Sequence, residues 1–142
     1  MLRFTKRADY GLMAIHYIAI HDEGAVSAKR IAEEFSIPQE LLAKILQRLA
    51  KQRLIVSHNG PKGGYVLSRR AAEISVGEVI RALEGPINIV SCLEDSACPQ
   101  MERCSLRRPV KKLQVAITQM LDTMSLAELT TEDVPEIFTI RA

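Results

Sequence analysis

Residues 27–52 read SAKRIAEEFSIPQELLAKILQRLAKQ, and this stretch decides the fold. Ser27 is an N-cap, its hydroxyl placed to accept an orphan backbone N–H at the start of a helix. That short helix runs through Arg30 to Phe35, with Ile31, Ala32 and Phe35 on one face. A tight turn follows at Ser36-Ile37, and Pro38 stands where the first turn of a helix tolerates a missing N–H. The next helix spans Pro38 to Gln52, with Leu41, Leu42, Ile45, Leu46 and Leu49 recurring at helical spacing. Its other face is polar: Gln39, Glu40, Lys44, Gln47, Arg48 and Lys51. Two helices, a tight turn between them and a basic exposed face on the second make a helix-turn-helix pattern.

Working outward, Thr5 to about His21 is apolar nearly all round, which predicts a central core helix; Asp22, Glu23 and Gly24 stop it. Downstream, Leu54–Ser57 reads as a strand, His58–Gly64 as a turn and Tyr65–Leu67 as a returning strand. A hairpin directly after a recognition helix is a wing. Its glycines do not form a nucleotide-phosphate loop, because the Gly-Lys-Ser/Thr ending is missing and no helix follows. Asn59 and Lys62 at the tip are placed to reach a sugar-phosphate backbone or minor groove. Ser75 caps a further helix, Val76 to Leu83, which Gly85-Pro86 ends.

From Leu106 to Met124 a long helix returns. Leu106, Val110, Leu113, Ile117, Met120 or Leu121, and Met124 alternate at four and three, an a/d seam. One such seam without a matching helix in a small chain implies a second copy of the chain as its partner, the alternative being a core helix whose stripe packs in whole or part within the monomer. The expected fold is therefore mainly α with a small β-hairpin wing. Residues 1–85 form a winged helix-turn-helix domain, 86–105 a cysteine-bearing loop, 106–129 a dimerisation helix and 130–142 a C-terminal tail.

The chain has 142 residues, 47% hydrophobic and 25% charged, enough to bury a core and too apolar for a disordered tail protein. No stretch approaches the 18 or so apolar residues of a membrane span, and the basic start leads into no small-residue cleavage site. A cytoplasmic protein without a membrane partner is expected. The formal net charge of +2 hides a split. Residues 1–70 carry 12 Lys/Arg against 6 Asp/Glu, and residues 71–142 carry 7 against 11. A basic half joined to an acidic half points to one end meeting a polyanion.

Cys92, Cys98 and Cys104 are spaced Cys-x5-Cys-x5-Cys. An odd count excludes a complete intrachain disulfide set, and structural zinc favours tighter knuckles with four ligands. Three soft thiolates on one loop suit an iron–sulfur cluster, with another metal or plain thiols as the remaining readings.

Taken together, MLRFTKRADYGLMA (1–14), GPKGGYVL (60–67), ISVGEVI (74–80) and the cysteine triplet resemble the Rrf family of iron–sulfur winged-helix regulators, of the IscR and NsrR type. The resemblance runs in order from Met1 to about Leu129. It implies a homodimer whose cysteine loops flank the dimer helices, each holding a cluster through Cys92, Cys98 and Cys104. In the branch that controls cluster assembly, a histidine three residues after the last cysteine completes a 2Fe–2S site. Arg107 stands there instead, and a guanidinium offers iron no lone pair. In the nitric-oxide-sensing branch an aspartate near the start of the first helix, donated across the dimer, completes a 4Fe–4S site. Asp9 matches it, although a first-turn acid also stabilises a helix N-terminus. Glu94, Asp95, Glu102, the three histidines and an exogenous thiol are the other candidates, so 2Fe–2S and 4Fe–4S both remain open.

The DNA-contact set expected for double-stranded DNA is Gln39, Glu40, Lys44 and Arg48 in the major groove, with Asn59 and Lys62 from the wing. Arg3, Lys6, Arg7 and Lys51 are expected on phosphates. A two-fold dimer calls for a pseudo-palindromic operator. The expected function is a transcriptional regulator that senses iron–sulfur cluster status and controls cluster-assembly genes. The alternatives are a nitric-oxide- or iron-responsive repressor with a 4Fe–4S cluster, and a winged-helix repressor that senses redox through thiols without one. No catalytic constellation or small-molecule substrate site is legible, which argues against an enzyme.

Overall fold

The computed structural model describes residues 3–90, 92 and 98–131. Glu94 and Asp95, and the tail from residue 132 onward, lie outside the described residues. Helix α1 (Lys6–Ile20) begins after Thr5, whose hydroxyl accepts from the Ala8 N–H at 3.1 Å. Helix α2 (Ala28–Phe35) begins after Ser27, which caps the Arg30 N–H in the same way. Ser36 then takes a left-handed conformation, φ 51°, and the Ile37 N–H returns to the Ala32 carbonyl at 3.0 Å. This tight reversal sets α3 (Gln39–Lys51) against α2. Burial follows the sequence pattern: Leu42, Ile45, Leu46 and Leu49 are buried, while Leu41 stays exposed.

Strands β1 (Ile55–His58) and β2 (Gly64–Leu67) pair antiparallel, Ile55 opposite Leu67 and His58 opposite Gly64. The hairpin is not isolated. Val26, in the link between α1 and α2, exchanges both backbone hydrogen bonds with Tyr65, at 2.9 and 2.8 Å. Gly64 permits that approach, since a Cβ there would collide with the Val26 carbonyl. A 3-10 turn (Ala71–Glu73) leads to α4 (Val76–Glu84), which opens on a reciprocal capping box between Ser75 and Glu78. Helix α4 lies across α1, with Leu83 packed onto Gly11 where any side chain would clash. Val79 and Leu83 are fully buried there with Ile15 and Ile45.

The last long helix, α5, runs from Arg107 to Thr123 and then stops. It ends where the heptad pattern ends, short of the residue 129 that the domain division assigns to the dimerisation helix. Ser125 and Glu128 form a second capping box, which ends one helix and starts the short α6 (Leu126–Leu129). The chain then re-enters the winged domain: the Val76 N–H bonds the Met124 carbonyl and the Leu126 N–H bonds the Ile74 carbonyl, both at 2.8 Å. Leu126 is completely buried in the core of that domain. Residues 125–129 thus pack back on the winged domain rather than lengthen α5.

Candidate nucleic-acid interface

Helix α3 presents Gln39, Glu40, Lys44, Gln47, Arg48 and Lys51 to solvent because Leu42, Ile45, Leu46 and Leu49 are taken up by the core with α1, α2 and α4. Gln47 lies among these groups, although the sequence reading gave it no DNA contact. At the hairpin tip Asn59 and Lys62 are exposed. Gly63 is required by the turn itself, since a Cβ there would strike the His58 and Gly60 carbonyls. Arg3 and Lys6 are exposed before and within the first turn of α1, Lys6 with its ammonium over the Tyr10 ring at 5.6 Å.

Two of the expected DNA contacts are engaged inside the molecule. Arg7 donates from Nε and Nη2 to the two carboxylate oxygens of Glu84, each at 3.0 Å, while the Thr5 hydroxyl donates to the same carboxylate at 2.5 Å. The bonds from Arg7 hold the Glu84 carboxyl below its usual range against the opposing effect of burial, and the Thr5 bond adds to this. Arg48 donates from Nη1 to the Leu83 carbonyl at 2.6 Å. Both arginines are therefore tied to the last turn of α4. Such long-range pairing has no signature in local sequence.

The cysteine-bearing link leaves α4 at Gly85-Pro86. Its first residues are held by Gln114 of α5, whose side chain accepts from the Ile89 N–H at 2.8 Å and donates to the Ile87 carbonyl. Cys92 and Cys98 are half-buried, Cys104 is exposed, and all three are free thiols. Among the described residues no three His, Cys, Asp or Glu side chains gather as a metal-binding group. The fit to a cluster therefore rests on donor chemistry: three unoxidised thiols on one segment, two of them partly withdrawn from solvent. Asp9 and Glu102 are exposed. His16 meets the Leu129 carbonyl at 3.2 Å, His21 stacks on Tyr17, and His58 lies on the wing. Arg107 is the first residue of α5.

Helix α5 contains no buried residue. Along the expected seam, Leu106 and Leu113 are 63% and 52% exposed, with Val110, Met120 and Met124 half-buried. Ile117 and Leu121 turn partly toward their own chain, lining a groove with Phe4, Ala8, Ile80 and Ile87. The helix is seated on α4 by Arg81, paired with Asp122 at 2.6 Å, and by Gly77, where a Cβ would collide with the Asp122 carboxylate.

A family model described as Rrf2, iron-dependent transcriptional regulator, matches residues 4–132. The chain belongs to the Rrf2 family. Among relatives of this Rrf2 member, the HTH-type transcriptional regulator IscR of Sodalis glossinidius is 32% identical, over 93% of this chain and 81% of its own length. IscR of Xenorhabdus nematophila is 34% identical, over 90% and 79%. Among solved structures, the global cysteine regulator CymR of B. subtilis is 30% identical with a TM-score of 0.77, covering 94% of this chain and all of that one. T. potens IscR is 31% identical with a TM-score of 0.72, covering 91% and 86%. The Rrf2 chain is thus a winged-helix, DNA-binding transcriptional regulator, and its relatives are regulators rather than enzymes. No helix among the described residues is long and apolar enough to cross a membrane.

Proposed function

We propose that this chain is a homodimeric, cytoplasmic regulator whose grip on a pseudo-palindromic operator depends on an iron–sulfur cluster held by Cys92, Cys98 and Cys104, and that it controls cluster-assembly genes. One observation carries the reading: all three thiols lie in the single link between α4, which packs on α3, and α5, which leaves Leu113 exposed. A cluster, when bound, would supply a reactive group that iron limitation, oxidants or nitric oxide deplete. The chain's own residues do the rest. Gln39, Glu40, Lys44, Gln47, Arg48 and Lys51 of α3 face the major groove and its phosphates, Asn59 and Lys62 reach the neighbouring backbone, and Arg3, Lys6 and Arg7 add phosphate contacts.

Leu106, Val110, Leu113, Met120 and Met124 bury themselves against a second α5, which fixes the spacing of two recognition helices. Ordering of the link changes how Gln114 holds residues 87–89 and so how α4 backs α3. Asp9, exposed in the first turn of α1, is the proposed fourth ligand from the other copy, a carboxylate where Arg107 cannot serve.

The test is anaerobic purification of full-length protein, with visible absorbance and iron and sulfide content, followed by operator affinity with and without the cluster. Iron-bearing protein that bleaches in the triple alanine variant of the cysteines supports the reading. Colourless protein overturns it and leaves a winged-helix repressor with thiols alone. Loss of the 4Fe–4S Mössbauer signature in Asp9→Ala assigns the nitric-oxide-sensing ligand set, and an unchanged spectrum removes Asp9 from it.

A further inference from the structure

We propose that Glu84 is a positioning residue for DNA binding, holding Arg7 while the Leu83 carbonyl holds Arg48, so that the two guanidiniums form a seat for a backbone phosphate. The inference rests on the reading that the exposed face of α3 meets DNA. Between that face and the start of α1 lies an open groove of about 470 Å³ lined by Arg7, Lys44, Gln47, Arg48 and Lys51 together with the apolar Leu41 and Ile45. Four of these seven are cations, and among the described residues no carboxylate lines the groove. Glu84 grips Arg7 from behind the wall rather than occupying it.

The bonding leaves N–H groups of each arginine unspent. Arg7 spends Nε and Nη2 on Glu84, leaving Nη1, and Arg48 spends Nη1 on Leu83, leaving Nη2 and Nε. A planar guanidinium carries five N–H groups in a fixed fork, so one edge can be anchored while the other receives phosphate oxygens. An arginine already fixed in place loses less rotamer freedom when DNA arrives.

Helix electrostatics argue that the Arg7–Glu84 pair is not there for the helices. Arg7 lies in the first turn of α1 and Glu84 in the last turn of α4, each at the end where the peptide dipoles disfavour its charge. Arg48, by contrast, meets a C-terminal carbonyl, a favourable partner for a cation. The last turn of α4 is also the residue pair before the cysteine-bearing link, so the seat is built on the segment the link would move.

The sign of the effect discriminates. Removing a carboxylate near a polyanion raises affinity on charge alone, whereas loss of a positioning residue lowers it. The experiment is fluorescence anisotropy of the full-length protein on a mixed-sequence 30-base-pair duplex across a salt series, with thermal melts of every variant. Glu84→Gln is expected to weaken binding about three- to tenfold, and Glu84→Asp to fall between it and the parent. Arg7→Ala is expected to reduce the salt slope by about one and to abolish any further effect of Glu84→Gln. Tighter or unchanged binding by folded Glu84→Gln, or a loss that persists in the Arg7→Ala background, overturns the proposal. Lys44→Ala and Lys51→Ala are the control for the underlying reading. If they leave binding unchanged, the DNA-facing assignment of α3 fails, whatever Glu84 does.

Discussion

The winged domain and helix α5 solve the same problem in opposite ways. In the domain, apolar faces are used up internally: Ile15, Ile31, Leu42, Ile45, Leu46, Leu49, Val79 and Leu83 are sealed from water. In α5, seventeen residues pass without one buried side chain, and the helix is seated by the Arg81–Asp122 pair, the Gln114 bonds and the partial cover of Ile117 and Leu121. The first region has stability of its own. The second is a marginal helix whose apolar stripe needs a further surface.

The sharpest way to break this contrast is a cavity in the domain. Leu83→Ala removes a fully buried side chain seated on Gly11 and is expected to cost about 2–5 kcal/mol, read by urea denaturation. A loss below about 1 kcal/mol would mean that the core is not the seat of stability. Next, Gly77→Ala forces a Cβ into Asp122 and is expected to cost about 1–3 kcal/mol while loosening α5 on α4. Hydrogen exchange that stays unchanged in α5 would contradict that seating. Leu113→Asp should act on the other region alone. Chemical stability of the dissociated chain should change by less than about 0.5 kcal/mol, as at exposed positions, while sedimentation shows dimers replaced by monomers. A dimer that survives removes α5 as the interface.

Acid titration sharpens the comparison further. The Glu84 carboxyl is held below its ordinary value by the bonds from Arg7, so its contribution is complete at neutral pH. It is lost as pH falls past about 4.5 and through the depressed value. For Glu78, burial opposes ionisation, but bonds from Ser75 and Arg69 outweigh it and the carboxyl is again lowered, giving loss in the same window. Glu84→Gln should flatten the acid limb of the stability curve, and an unaltered limb would show the pair contributes nothing there. The smallest effect is expected at Ser36, where left-handed backbone suits glycine. Ser36→Gly should change stability by no more than about 0.5 kcal/mol, since relief of the αL strain is offset by glycine's entropy.

How much of this was legible follows from the range of the interactions. Helices α1 to α4 and the hairpin were readable because capping residues and periodic apolar positions are local, and Ser27, Ser75 and the leucines of α3 announce themselves. The pairing of Val26 with Tyr65 was not, since a one-residue strand has no period. Nor was the Arg7–Glu84 clamp, whose members lie 77 residues apart. The break before α6 was legible in Ser125 and Glu128, but the apolar seam running on to Met124 masked it. At the candidate site, residue types alone placed the α3 face and the thiols. Which arginines are already bound depended on tertiary packing.

The return of Leu126 into the core has a mechanical consequence. The chain leaves this body at Gly85 and is fastened to it again at Met124, as a doubly clamped beam is and a trailing arm is not. Shortening or stiffening its middle cannot be dissipated by a free end swinging aside. Tension must appear at the two clamps, the ends of α4, and α4 is the helix on which the reader of the double helix rests.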